Sequence, residues 1–251
     1  RRGGGRAGNA LRRGSASIEQ MPWHLPINND SPTEPLNEEG IIAIHEGAMR
    51  ILEEIGVEFL NEKALSIMKK AGCKINEQNV RMDRQFVMEM VEKAPSTFDI
   101  TPRNVNRKIT VGGPYILFGN VSSPPAYWDL EISKKIPGTR EMFANFCKLS
   151  QYFNCIHFLG GYPVEPVDLH PSTRHLDAVF DKLILSDKVA HAYSLGKERV
   201  EDVMEMVRIA GNLSHEEFET SPKMFTNINS TSPLKHDEPM LDGWMRLAKK
   251  N

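Results

Sequence analysis

From Val111 onward the chain alternates between short β-type runs and amphipathic helices at a nearly constant interval, and few folds accept that rhythm. "YILFGNV" (115–121) reads as a strand, "TREMFANFCKLSQYF" as a helix and "CIHFLGGYPV" as a second strand. "STRHLDAVFDKLILSD" puts Leu176, Val179, Phe180 and Leu183 on one helical side and feeds the strand "KVAHAYSL". "KERVEDVMEMVRIAG" is amphipathic through Val200, Val203, Met204 and Val207 and precedes "KMFTNINSTSPL". Strand starts therefore recur about 40, 33 and 35 residues apart with one helix between each pair, the spacing of parallel strands joined by right-handed crossovers. Residues 111–251 are thus expected to be an α/β unit, the first half of a (β/α)8 TIM barrel. A doubly wound sheet competes, but no G-x-G-x-x-G follows the first strand, which argues against a dinucleotide site.

Two other regions precede this one. Residues 1–36 have the composition of a flexible arm: Arg1, Arg2, Arg6, Arg12 and Arg13 stand among glycines, then four prolines occur in "MPWHLPINNDSPTEP". Residues 37–110 read as a small α+β cap. "NEEGIIAIHEGAMRILEEIG" sets Ile41, Ile44, Ala48, Ile51, Leu52 and Ile55 on one face, with Gly56 as the closing glycine. "NEKALSIMKKAG" repeats the pattern, and "DRQFVMEMVEKAP" gives a third helix stopped before Pro95. The first residue is not Met, and "GWMRLAKKN" stops inside an amphipathic pattern, so a piece of a longer protein is expected.

Composition removes several function classes. The formal charge is −2, which disfavours bulk nucleic-acid or membrane-surface binding, and five arginines with few aromatics make the arm a poor RNA ligand. No apolar run approaches the roughly 18 residues a membrane-spanning helix needs. Cys73, Cys147 and Cys155 have no C-x-x-C spacing and read as reduced thiols of a cytoplasmic protein.

Barrel strands present working residues at their carboxyl ends. "KMFTNINSTSPLKHDEP" begins as a strand, yet crowds its far end with Asn227, Asn229, Ser230 and Thr231. Asn227 and Asn229 alternate onto one face, with Ser230 at the rim. Tyr162, Tyr193, Asn120 and Gly160 occupy the equivalent ends of the other strands. This set is polar, aromatic and almost uncharged, which suits a quaternary ammonium or a neutral amine. Ordinary roles compete: Asn and Ser as turn formers, the tyrosines as wall packing, Gly160-Gly161 as a close backbone approach. No metal site is expected, because His170 and His175 are misplaced for one helix face and His157 and His191 have only Cys155 as a soft neighbour. Cys147 and Cys155 read as core thiols, and Asp129, Asp168 and Asp187 as loop carboxylates. Residues alone point to an enzyme with a small polar ligand.

The ordered series "RRGGGRAG", "IHEGAMRILEEIGVEF", "EKALSIMKKAGCKI", "VRMDRQFVMEMVEKAPSTFDITPRN", "ITVGGPYILFG", "YWDLEISKKIPGTREM" and "LSDKVAHAYS" resembles the trimethylamine methyltransferase family over nearly the whole chain. The resemblance implies a barrel whose mouth binds a methylated amine, trimethylamine or a quaternary amine such as glycine betaine, and passes a methyl group to cobalt. It implies no cofactor bound directly: the corrinoid (cobalamin) is carried by a cognate partner protein, and a homo-oligomer is expected. The pyrrolysine of the family's archetypal members lies later than this stretch, so no catalytic residue is assigned. A non-catalytic ligand-binding barrel of the same fold is the alternative.

Overall fold

The computed structural model describes residues 18–192 and 195–249. Residues 1–17, and with them the arginines of the arm, lie outside the described residues.

The extended segment 18–28 is fastened by backbone geometry that prolines tolerate. Ile27 bridges Tyr115 antiparallel, Ile116 N–H donates to Pro26 O (2.9 Å) and Asn28 N–H donates to Pro114 O (2.8 Å). Trp23 and Leu25 pack into a cluster with buried Ile100, Ile109 and Val189.

The next region is built from capped helices and short strands. α1 (Glu38–Arg50) starts at Asn37, whose side chain accepts from Gly40 N–H, and runs into a π-helical turn, Ile51–Ile55. Gly56 stops it at φ 84°, and a Cβ there would lie 2.6 Å from Asn79 Oδ1 and 2.7 Å from Val80 O. β1 (Val57–Phe59), α2 (Glu62–Lys70), β2 (Lys74–Asn76), β3 (Asn79–Arg81) and α3 (Arg84–Glu92) follow, with Asn61 and Asp83 capping the two helices. The apolar face of α1 is not the buried one. Ile41, Ile44 and Ile55 are more than half exposed, and within α1 Met49 alone is buried.

β4 (Thr97–Ile100) pairs antiparallel with β5 (Ile109–Gly112), and β6 (Ala126–Asp129) with β7 (Lys134–Pro137). Then come α4 (Arg140–Tyr152), β8 (Phe158–Leu159), α5 (Arg174–Leu185), β9 (Val189–His191), α6 (Lys197–Ala210), α7 (His215–Glu219), β10 (Met224–Phe225), β11 (Lys235–His236) and α8 (Glu238–Leu247). β8, β9 and β10 form a parallel sheet in chain order, and Gly119 adds a parallel bridge to Phe158. The chain is thus mixed α/β with small sheets, and no closed barrel is present among the described residues. β8, β9 and β10 are two or three residues long where the sequence suggests seven or more, and Gly160-Gly161 directly follow β8.

β11 returns to the first sheet, where it pairs parallel with β1 (Glu58 with Lys235, Phe59 with His236) in the order β11-β1-β3-β2. Leu241 of α8 is buried against Val57, Phe59, Ala64 and Val80. The helix reading of α6 holds, with Val200, Val203, Met204 and Val207 all buried. That of α5 needs correction. Leu176 and Phe180 are exposed, and the buried stripe runs through His175, Ala178, Val179, Asp181 and Lys182.

Candidate functional site at the strand ends

In a parallel pair, matched residues share a face. The registers Phe158–Val189 and His191–Phe225 therefore put these four on one face, with Leu159, Ala190 and Met224 on the other. The second face meets the helices: Leu159 packs with Phe143, Cys147 and Ala178, and Met224 with Val179, Val203 and Val207. The first face carries an aromatic group. Phe225 stands edge-on to Phe158 (5.2 Å between centroids, 87°) and to His191 (5.0 Å, 73°). Phe158, Val189 and Phe225 on this face pack in one cluster with Ile100, Ile109, Trp23 and Leu25.

The strand-end residues expected to form a pocket fall into different settings. Gly160 is buried against the end of the first strand segment: a Cβ there would lie 2.5 Å from Asn120 O. This is a close backbone approach, one of the roles its sequence allows. Asn120 lines a groove with Tyr127, Phe146, Leu149 and Ser150, on the helix side. Its Nδ2 donates to Val121 O (2.9 Å), and its Oδ1 is buried without a partner among the described residues. Tyr162 is 5% exposed, edge-on to Phe143 (5.6 Å), in the helix-side cluster; its ring is part of the wall. Asn227, Asn229 and Ser230 are exposed on the segment after Phe225, where the β10 ladder has ended. Tyr193 lies outside the described residues. Among the cysteines, Cys147 is a core thiol, its pKa pushed up to about 12 by burial, whereas Cys155 is exposed.

Periodicity read from apolar residues misses the buried ionisable groups. His191 is 8% exposed, and burial, then the charge of Lys182, pulls its pKa down to about 4; the imidazole is neutral at pH 7. Lys182, 1% exposed on α5, donates from Nζ to His191 O (3.1 Å) and lies 5.0 Å from the Tyr162 ring centroid. Burial lowers its pKa to about 8. Lys188 caps the end of α4 through Ser150 O (2.6 Å) and Phe153 O (2.7 Å), and burial lowers it to about 8 too. His157 is a strut. Its Nδ1 accepts from Phe118 N–H (2.9 Å), so Nε2 carries the proton and donates to His24 O (3.0 Å). Burial lowers its pKa. The one available signal for Lys182 is its place at i, i+3, i+4, i+7 with His175, Ala178 and Val179. Among the described residues, no three His, Cys, Asp or Glu side chains gather as metal ligands would. Nor is any described helix long and apolar enough to cross a membrane.

The family model for trimethylamine methyltransferase (MTTB) matches residues 1–251. The chain belongs to the trimethylamine methyltransferase family. Relatives within it act on different amines. The glycine betaine methyltransferase of Desulfitobacterium hafniense (strain Y51) is 34% identical over 214 residues, 85% of this chain and 44% of that protein. The trimethylamine methyltransferase MttB of Desulfitobacterium hafniense (strain DSM 10664 / DCB-2) is 24% identical over 79% of this chain and 40% of its own length. The proline betaine:corrinoid methyltransferase of Eubacterium limosum is 27% identical over 82% and 44%. The chain thus spans less than half the length of the trimethylamine methyltransferase relatives it matches.

Proposed function

We propose that the complete protein takes a methyl group from a quaternary amine of the glycine betaine type and delivers it to the cobalt of a corrinoid carried by a partner protein. The observation that carries the substrate class is the 34% identity to a glycine betaine methyltransferase across 85% of the chain. In this reading residues 111–251 are the opening half of a (β/α)8 barrel, supported by β8, β9 and β10 lying parallel in chain order. The division into an arm (1–36), a cap (37–110) and barrel strands (111–251) is part of the proposal; within the last range β11 and α8 return to pack against the cap.

The strand-end chemistry agrees with a cationic ligand. Phe158 and Phe225 stand edge-to-face there, and aromatic rings attract a quaternary ammonium by roughly 0.5–2 kcal/mol per contact. The neutral His191 adds no repulsion. In this proposal Gly160 and Asn120, with Asn227, Asn229 and Ser230 beyond β10, form the rim, and Tyr162 supports it from behind. A quaternary nitrogen is already a leaving group, so the barrel's task is to hold the N–CH₃ bond in line with the acceptor. The corrinoid is the co-substrate, its reduced cobalt supplying the nucleophile, and no residue of this chain is assigned to hold it.

The test is methyl transfer to cob(I)alamin by the complete protein from a panel of N-methylated amines. Transfer from glycine betaine supports the proposal. Binding of glycine betaine without transfer gives the non-catalytic barrel instead, and neither binding nor transfer refutes both.

A further inference from the structure

Lys182 has no evident reason to be where it is. It sits on α5 with 1% of its surface exposed, and among the described residues no carboxylate lies within ion-pair distance of its ammonium. Glu165, a neighbouring acid, is engaged by Arg174 at 2.7 Å. A buried ammonium without a counter-ion is costly, and an apolar side chain of the same length would fill the site at lower cost. What the ammonium does touch lies at the strand ends: the carbonyl of His191, the last residue of β9, and the ring of Tyr162, just past β8.

The two faces of β9 meet at this point. The His191 carbonyl is held from the helix side, while its imidazole stands on the opposite face beside Phe225. We infer that Lys182 is a positioning residue for the methylated amine: from the helix layer it pins the end of β9 and the Tyr162 ring, and thereby fixes where His191 stands on the ligand face. The inference rests on the proposed amine-methyltransferase reading and deepens it. The ammonium does not touch substrate; it acts through His191. Its charge also discourages a proton on that imidazole, which keeps the ligand face free of a second cation. The other ionisable groups facing Lys182 are Cys147 and Glu165, and both favour its charged form.

The experiment compares the complete protein with Lys182→Met, which keeps the length and removes the charge, and Lys182→Gln, which retains a donor. Unfolding midpoints are measured beside kcat and KM for glycine betaine and cob(I)alamin. The expected result is an unfolding midpoint equal to or above the parent's in Lys182→Met, with kcat about tenfold lower and KM changed less than threefold. Lys182→Gln should recover part of kcat. A structural filler predicts a lower midpoint with activity falling in parallel, so that outcome, or both variants failing to fold, overturns the inference. Parent-like kcat and KM in Lys182→Met overturns it as well. If the parent protein transfers no methyl group from any amine, the proposed function has failed. The role of Lys182 at β9 is then read from the His191 imidazole, whose NMR titration should move toward the ordinary histidine range in Lys182→Met; an unmoved titration refutes it.

Discussion

Gly160→Ala tests the geometry of the strand ends most sharply. The new methyl would sit 2.5 Å from the carbonyl oxygen of Asn120, with the next atoms at 3.6 and 3.9 Å. Close carbon–oxygen contacts in proteins settle at about 3.3–3.6 Å, so the two strand ends must part by roughly 0.8 Å. The obstacle is backbone, which has no rotamer to escape into, and the nearby parallel bridge between Gly119 and Phe158 resists the shift. Overpacking of this kind costs about 1–3 kcal/mol, against roughly 0.4–1 kcal/mol gained by stiffening the unfolded chain. A net loss of about 1–2 kcal/mol is expected, measured as a lower urea midpoint at unchanged slope. Gly47→Ala is the control: nothing lies within 4 Å of a Cβ there, mid-helix in α1, and a gain of up to about 1 kcal/mol is expected. A midpoint for Gly160→Ala equal to or above the parent's would refute the close approach.

Other outcomes follow from the buried charges. Arg140 holds Asp181, whose side chain is 8% exposed, through Nε (2.8 Å) and Nη2 (3.0 Å), and Asp177 through Nη1; Arg140→Met should cost about 2 kcal/mol by urea titration, because Asp181 is left buried without its cation. His157 and His191 are neutral in the native state and titrate below the ordinary value, so the unfolded chain takes up their protons first. Stability should therefore fall as pH drops from 6.5 to 5, read as a declining melting temperature. Lys182 and Lys188 shed their protons at about 8 in the native state and at 10.5 when unfolded, so stability should rise between pH 8 and 9. Above that, Cys147, protonated up to about 12, opposes the rise. Lys182→Met should flatten the pH 8–9 slope by about half.

Much of the scaffold is legible because local signals agree with tertiary ones. Asn37, Asn61, Asp83 and Thr139, which open segments read as helical, cap those helices in the structure, and Val200 to Val207 mark the buried stripe of α6 without ambiguity. The repeat of strand and helix translates directly into the β8-β9-β10 order. Long-range pairing was not legible: nothing in "LKHDEP" announces that Lys235 and His236 pair with β1, 176 residues or more away in the chain. Nor does an apolar stripe guarantee burial. Ile41 and Ile44 have the right period in α1, yet nothing in the described residues covers them. The site was read by residue type, which favoured exposed amides at 227 and 229. The groups placed under electrostatic stress, Lys182 and His191, sit in otherwise apolar runs, where hydrophobic pattern counts the lysine as a surface residue. Tyr162 shows the same limit, since a residue after a two-residue strand no longer obeys the alternation that would turn it inward.

The central claim is that the strand-end face serves a methylated quaternary amine on its way to a corrinoid. Its most direct measurement is the rate at which the complete protein consumes cob(I)alamin with glycine betaine as methyl donor, alongside trimethylamine. The account expects transfer from glycine betaine that exceeds transfer from trimethylamine and falls in Gly160→Ala. Transfer from trimethylamine alone, or from no methylated amine, would contradict it.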